Sequence, residues 1–390
     1  MKQLALLFIL FLFSFSMIAQ NVQEVEVKGV GIDREQAVQD GLRAAVGKAF
    51  GTYVSSETEV ENFVTIRDAI STRSEAYVKS YEVIDDIPFP DRHEVTLKAL
   101  VSLDPIERDA AQLEEILGGL TFIVVYDDRT LDETSGPNYD FAYDRMNEKL
   151  AENKLNRTES HLFKRLAELM DPNEGGMAFL TKLGYYTDSE FVIFIKSMNI
   201  KIEAKAAGLT SAQVTMDVIA YDNCNARNLG SSVFTGDVMV HQDQTFAVRD
   251  AISSAINNGF DRLLYLFNSD MGKWIDNGAP YELRFYAPEE VQYKYADMMQ
   301  LRMKLEANPQ FGGEVTMTRV GNYFKFVLNS KAKQSSFIDN VFNSIYEIPT
   351  LAALELEPQI IYHRQITFGP FGHKIPEAEE KTNIMLKANR

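Results

Sequence analysis

The sequence predicts an α+β protein of three consecutive α/β sandwich-type domains after a signal peptide, the last domain ferredoxin-like (β-α-β-β-α-β). Three observations lead there. Helical spacing and strand alternation replace one another repeatedly along 390 residues. Breaks at Pro105, from Trp274 to Pro280, and after Phe368 separate the periodic stretches. The composition is 45% hydrophobic, enough for two or three cores in a chain of this length. The expected division is 1–20 signal peptide, 21–105 first domain, 106–275 second domain, 276–364 third domain, and 365–390 a mobile polar tail.

Lys2 precedes an apolar run from Leu4 to Ile18, and Ala19 offers a small residue for cleavage near Gln20. The run is short for a membrane span and reads as a secretory signal. No cysteine stands near that point to accept a lipid, so the mature chain is expected to be soluble and periplasmic, with secretion or peripheral outer-membrane association as variants. Cys224 is the only cysteine, which excludes an intramolecular disulfide and CxxC chemistry. A net charge of -17 repels phosphate backbones, so nucleic acid is a poor partner.

Glu24 to Val30 alternates like a half-buried strand. Gly29 and Gly31 form the turn into a helix that Asp33 caps, with Gln36 at N3 and Val38, Leu42, Ala45 and Ala49 on one face. Thr58 and Glu61 give a second capping box, ahead of Val60, Phe63, Ile66 and Ile70. A hairpin follows, Tyr77 to Ile84 and Val95 to Leu103, turned by Pro88, Pro90 and Asp91. The strand, two helices and hairpin are expected to close one unit.

These residues, GVG, DREQAVQDGLRAAVGKAFG, YVSSETEVENFVTIRDAISTRSEAYVKSYEVI and HEVTLKALVSL, resemble the amino-terminal domain of flagellar assembly protein T and the small envelope lipoproteins related to it, over residues 24–103. The resemblance implies an exported, non-catalytic domain used in envelope assemblies. The lipoprotein cysteine is missing here.

Ile106 to Leu117 reads as a linking helix ended by Gly118 and Gly119, and LTFIVVY as a strand covered on both faces. Tyr139 to Leu150 and Ser160 to Met170 read as helices, with a break from Asp171 to Gly176. Glu190 to Ile202, Ala212 to Tyr221 and Val233 to Val240 read as strands, and a long helix starts near Thr245. SEFVIFIKSMNI, AQVTMDVIAYDNCNARNLGSSVFTG and FAVRDAISSAINNGFDRLL are similar in layout to the TolB amino-terminal domain and to the α/β core of the curli secretion-channel lipoprotein. That likeness concerns fold alone.

Beyond Trp274, Glu282 to Tyr286 restarts a strand and Pro288 stands in the first turn of a helix carrying Val291, Tyr295, Met298, Arg302 and Leu305. Val315, Met317 and Arg319 pair with Phe324, Phe326 and Leu328 through Gly321 and Asn322. A helix through Phe337, Val341 and Ile345 and a strand within Ala353 to Tyr362 complete the ferredoxin-like order.

Candidate chemistry is sparse. Gly29 and Gly31 lack the third glycine of a dinucleotide fingerprint, since Arg34 stands there, and read as a packing turn. Asp127 and Asp128 follow a strand, a favoured place for active-site carboxylates, and are the weak catalytic alternative; Asp85 and Asp86 are weaker. Adjacent carboxylates on an extended chain point apart, which suits loop capping better. The five histidines are dispersed, and Asp222, Asn223 and Asn225 open like a calcium loop without its glycine and closing glutamate. No metal or cofactor site is expected. Met298, Met299 and Met303 read as a core face before a protein-binding stripe. The expected function is a non-enzymatic exported scaffold that binds other envelope proteins through domain surfaces and strand edges, with a possible homo-oligomer. Two alternatives stand beside it: a periplasmic module binding glycan or peptidoglycan fragments, and a hydrolase at Asp127 and Asp128.

Overall fold

The structure is a computed structural model and describes residues 21–57, 63–117, 120–158, 161–171, 175–291 and 293–388. The expected signal peptide, the Thr58 and Glu61 capping box, and the Gly118–Gly119 stop lie outside the described residues. The protein is α+β. Its described residues form two compact units, residues 21–57 with 73–110, and residues 63–72 with 111–388.

The first unit opens with β1 (Val22–Gly31) and α1 (Arg34–Glu57). α2 (Phe63–Ser71), expected to close this unit, belongs instead to the second, where Ile66, Ala69 and Ile70 are buried. α3 (Ser74–Tyr77), β2 (Val78–Pro88), β3 (His93–Ser102) and the start of α4 (Leu103–Leu117) complete the first unit. Its sheet is antiparallel in the order β1-β3-β2, with Val25 opposite Ala99 and Gly29 opposite Val95. Period-two alternation sends Val95, Leu97, Ala99 and Val101 to the face that α1 covers with Val38, Leu42, Ala45, Val46, Ala49 and Phe50. Burying a side chain such as Leu42 or Phe50 contributes roughly 2 kcal/mol.

Gly29 is where α1 meets the sheet. A Cβ there would sit 2.0 Å from the Ala37 carbonyl oxygen and 2.4 Å from the Gly41 nitrogen, so helix and strand touch backbone to backbone. Asp33 Oδ1 accepts the Gln36 amide at 2.8 Å, capping the helix start.

The second unit holds two sheets. β4 (Thr121–Val125) pairs in parallel with β5 (Asn156–Arg157) on one side and β6 (Phe191–Ala204) on the other; β7 (Thr210–Asp222) and β8 (Arg227–Thr235) continue antiparallel. The single strand expected from Val233 to Val240 is two pieces, β8 and β9 (Met239–His241), set along the same edge of β7. Between β4 and β6 lie α5 (Gly136–Glu152), α6 (His161–Leu169) and α7 (Gly176–Thr187). α7 is absent from the sequence reading, because Gly175, Gly176 and the Gly184-Tyr185-Tyr186 run mask its periodicity. α8 (Gln244–Asn277) is capped by Asp243, packs along β7 and β8, and buries Phe267 against Phe122 and Phe191.

β10 (Ala279–Tyr286), α9 (Tyr295–Ala307), β11 (Phe311–Val320), β12 (Tyr323–Ser330), α10 (Gln334–Tyr346), α11 (Pro349–Ala352), β13 (Glu357–Tyr362), β14 (Gln365–Gly369) and α12 (Pro376–Ala388) make the rest. α9 begins at Tyr295 and not at Pro288, since Lys294 is extended. The sheet order is β11-β12-β10-β14-β13, and the β11–β12 hairpin pairs Met317 with Phe326 and Arg319 with Phe324. The ferredoxin-like expectation puts the strand after α10 beside β10. That place belongs to β14, which runs parallel to β10, while β13 lies at the edge. The 365–390 segment, expected as a mobile tail, thus supplies a wholly buried strand and a helix with Glu377 and Glu379 in its first turn.

Candidate functional site

Within the second unit, the β13–β14 hairpin presses Arg364 against the ends of β6 and β7. Arg364 Nη2 and Nη1 donate to the two Asp222 oxygens at 2.8 and 3.1 Å, Nε donates to Glu190 at 2.6 Å, and Nη1 also donates to the Pro280 carbonyl at 2.8 Å. The guanidinium stacks 4.5 Å from the Trp274 ring. Burial pushes the Asp222 carboxyl up, but Arg364 and Arg227 reverse this and hold it below the usual carboxylate range. Asn223 donates to the Tyr362 hydroxyl at 2.8 Å, and that hydroxyl donates to the Ser189 carbonyl. This is a structural clamp in which every Arg364 side-chain nitrogen is bonded, and it occupies the residues that resembled a calcium loop.

Beside the clamp opens a cavity of about 320 Å³, in the range of small-molecule sites. One wall is α7, through Thr181, Lys182 and Tyr185; another is the sheet face carrying Arg284, Tyr323 and Thr367; α12 borders it with Glu377. Strand alternation explains the sheet wall. Leu283, Phe285, Phe324 and Phe326 are buried on the opposite face, which leaves Glu282, Arg284 and Lys325 on this one.

Glu282 is wholly buried and held by Arg284 Nε at 2.6 Å, by Lys325, and by Gln365 at 3.3 Å. Tyr323 donates its hydroxyl to Glu377, and Lys182 reaches Glu380 at 3.3 Å. Burial, with Glu377 adding to it, pushes the Tyr185 phenol up to about 12, so it stays a neutral donor. The Lys381 ammonium sits 4.3 Å over the Tyr185 ring, and burial lowers its pKa. Fixed donors, a guanidinium and aromatic walls equip the cavity to hold a polar ligand.

The residues singled out from sequence are dispersed. Gly29, Gly31 and Asp33 form the helix-packing turn of the first unit. Asp127 and Asp128 follow β4 in the parallel part of the sheet, where strand order reverses. Arg129 grips both Asp127 oxygens at 2.8 and 2.9 Å and stacks 4.0 Å over Phe179, which makes Asp127 a brace for the loop. Burial raises the Asp128 pKa, with Lys164 opposing. Asp86 accepts from Arg34 at 2.6 Å and bonds His93. Cys224 is fully buried; Met298 is buried while Met303 is 60% exposed. The side chain of His161 lies outside the described residues.

Arg284, Tyr185, Tyr323, Arg364 and Glu190 escaped the sequence reading. One signal was available: Glu190, Asp222 and Arg364 each interrupt or abut apolar strand runs (EFVIFI, VIAYDNC, IIYHRQITF), where a charge is costly unless another element brings its partner. Among the described residues no group of acids, histidines and cysteine is placed to hold a metal ion, and no helix is long and apolar enough to cross a membrane. In comparison with known proteins, the chain matches no family model and no curated protein.

Proposed function

We propose that the chain is a non-enzymatic, exported envelope protein that acts as an interaction scaffold for other envelope proteins. The observation that carries this reading is β2. It is an edge strand whose outer side pairs with no strand among the described residues, and it carries Tyr81, Ile84 and Ile87 at 50%, 53% and 42% exposure, followed by Phe89. A long edge with exposed apolar side chains is the surface on which a partner strand adds. The amino-terminal signal pattern and the resemblance of residues 24–103 to envelope-assembly domains agree with it.

The test is in-cell photocrosslinking from position 84 or 87, with fractionation. The reading expects a defined envelope partner whose capture is lost in Ile84→Lys and Ile87→Lys variants. Cytoplasmic location, or turnover of a cell-wall or peptide substrate without any partner, would sink it.

A second reading, a binding module for glycan or peptidoglycan fragments, is favoured by the tyrosine-lined cavity beside Arg284. Ligand fragments that bind only the folded state raise the melting temperature, and Tyr185→Leu should cancel that rise.

A further inference from the structure

We infer that the cavity bordered by α12 receives a ring-bodied ligand bearing one carboxylate, with Arg284 as the carboxylate's partner and Tyr185 and Tyr323 as walls for the ring. The inference rests on the second reading above, that this cavity is a binding site.

The donors of Arg284 select the charged group of the ligand. Arg284 spends Nε on Glu282, which leaves the two terminal nitrogens of its fork for the cavity it lines. Lys325 is bound to the same glutamate, so two cations face one buried anion. The other charged groups nearby are engaged: Glu377 accepts the Tyr323 hydroxyl, Lys182 reaches Glu380, and the Lys381 ammonium lies 4.0 Å from Asp188. These cations and anions balance, so what favours an anion at this spot is the open fork of Arg284 and not net charge. A guanidinium fork matches a carboxylate in two parallel hydrogen bonds.

The walls select the body. Met177, Ile360 and Ile375 line the cavity with the two tyrosines, which suits the apolar face of a ring, while Thr181 and Thr367 hydroxyls can bond to polar ring substituents. A sugar acid meets all these demands at once.

The experiment is calorimetric titration of the full chain with N-acetylmuramic acid, its methyl ester, N-acetylglucosamine and inorganic phosphate. The acid should bind, and the ester and the neutral sugar should bind at least about tenfold more weakly, as expected for a lost charge-assisted hydrogen bond. Arg284→Gln should erase the difference between acid and ester, and Arg284→Lys should restore part of it. Equal binding of acid and ester overturns the carboxylate assignment while leaving a sugar-binding module standing. Phosphate binding as tightly as the acid overturns the ring. No heat from any probe overturns the inference and the second reading together. Should Arg284→Gln fail to fold, the acid and ester compared on the unaltered chain still decide.

Discussion

Arg364 and Asp222, 142 positions apart, meet in a two-pronged ion pair with side chains only 4% and 0% exposed, and through it the β13–β14 hairpin is fixed to the sheet that ends at Asp222. Glu190, 5% exposed, takes the remaining edge of the same guanidinium. Two carboxylates and a guanidinium out of water are tolerable only because every prong is bonded; Arg227 and Asn225 also donate to Asp222.

Removing the cation should therefore cost more than an ordinary polar contact. Arg364→Ala leaves Asp222 with Arg227 as its one cation beside the Asn225 amide, and Glu190 without its closest partner, and we expect a loss of about 3–5 kcal/mol. Arg364→Lys should cost less, since charge remains while the fork is lost. Urea unfolding followed by Trp274 emission measures this, because the single tryptophan lies 4.5 Å from that guanidinium. A loss under about 1 kcal/mol in the alanine variant, the scale of an exposed pair, would contradict the clamp.

The same pair sets an acid limit. Burial pushes the Asp222 carboxyl up, but Arg364 and Arg227 outweigh it, so the folded-state pKa lies below the ordinary 3.8. A carboxylate whose pKa is depressed on folding contributes stability that is complete above the unfolded value and disappears as pH falls through the folded value. The urea midpoint read by Trp274 should hold from neutrality to about pH 5 and fall below about pH 4. In Asp222→Asn the protein should be weaker at neutral pH, with a shallower acid limb.

Local chemistry was legible where one element carries its own pattern. The α1 stripe, the alternation in β3 and the Gly321 turn between β11 and β12 each depend on neighbouring residues, and the structure has them. What depends on distant partners was not legible. β14 reads as tail from Phe368 onward, because the cover for Phe368 comes from Phe285 and Phe342 far upstream. α2 carries a clear amphipathic face, yet nothing in it tells which core receives that face. The cavity is hidden for the same reason: Arg284 looks like an exposed strand residue until α7 and α12 stand opposite it.

Cys224 gives a direct report on the packing between the two sheets of the second unit. Its thiol is fully buried with Ile360, Tyr362 and Ile375, and burial pushes its pKa well up. It should stay unlabelled by a thiol reagent at pH 8 in the native protein and react at once in denaturant. Tyr362→Ala, which opens that cluster, should accelerate labelling under native conditions. Fast labelling of the unaltered protein would contradict the burial.

Two glycines in the first unit should respond in opposite directions to the same substitution. Gly29 has backbone on its side-chain side, with the Ala37 oxygen 2.0 Å and the Gly41 nitrogen 2.4 Å from where a Cβ would stand, so Gly29→Ala must push α1 off the sheet. Overpacking of this kind costs about 1–3 kcal/mol or more, because backbone cannot swing aside as a side chain can. Gly51 lies inside α1 with nothing within 4 Å of its Cβ position, so Gly51→Ala removes a helix-weakening residue without a clash. It should stabilise by roughly 0.5–1 kcal/mol. Thermal unfolding followed by circular dichroism reads both changes. If Gly29→Ala melts with the unaltered protein, the contact between helix and strand backbones is not as close as the structure has it, and Gly29 is no more than a turn residue.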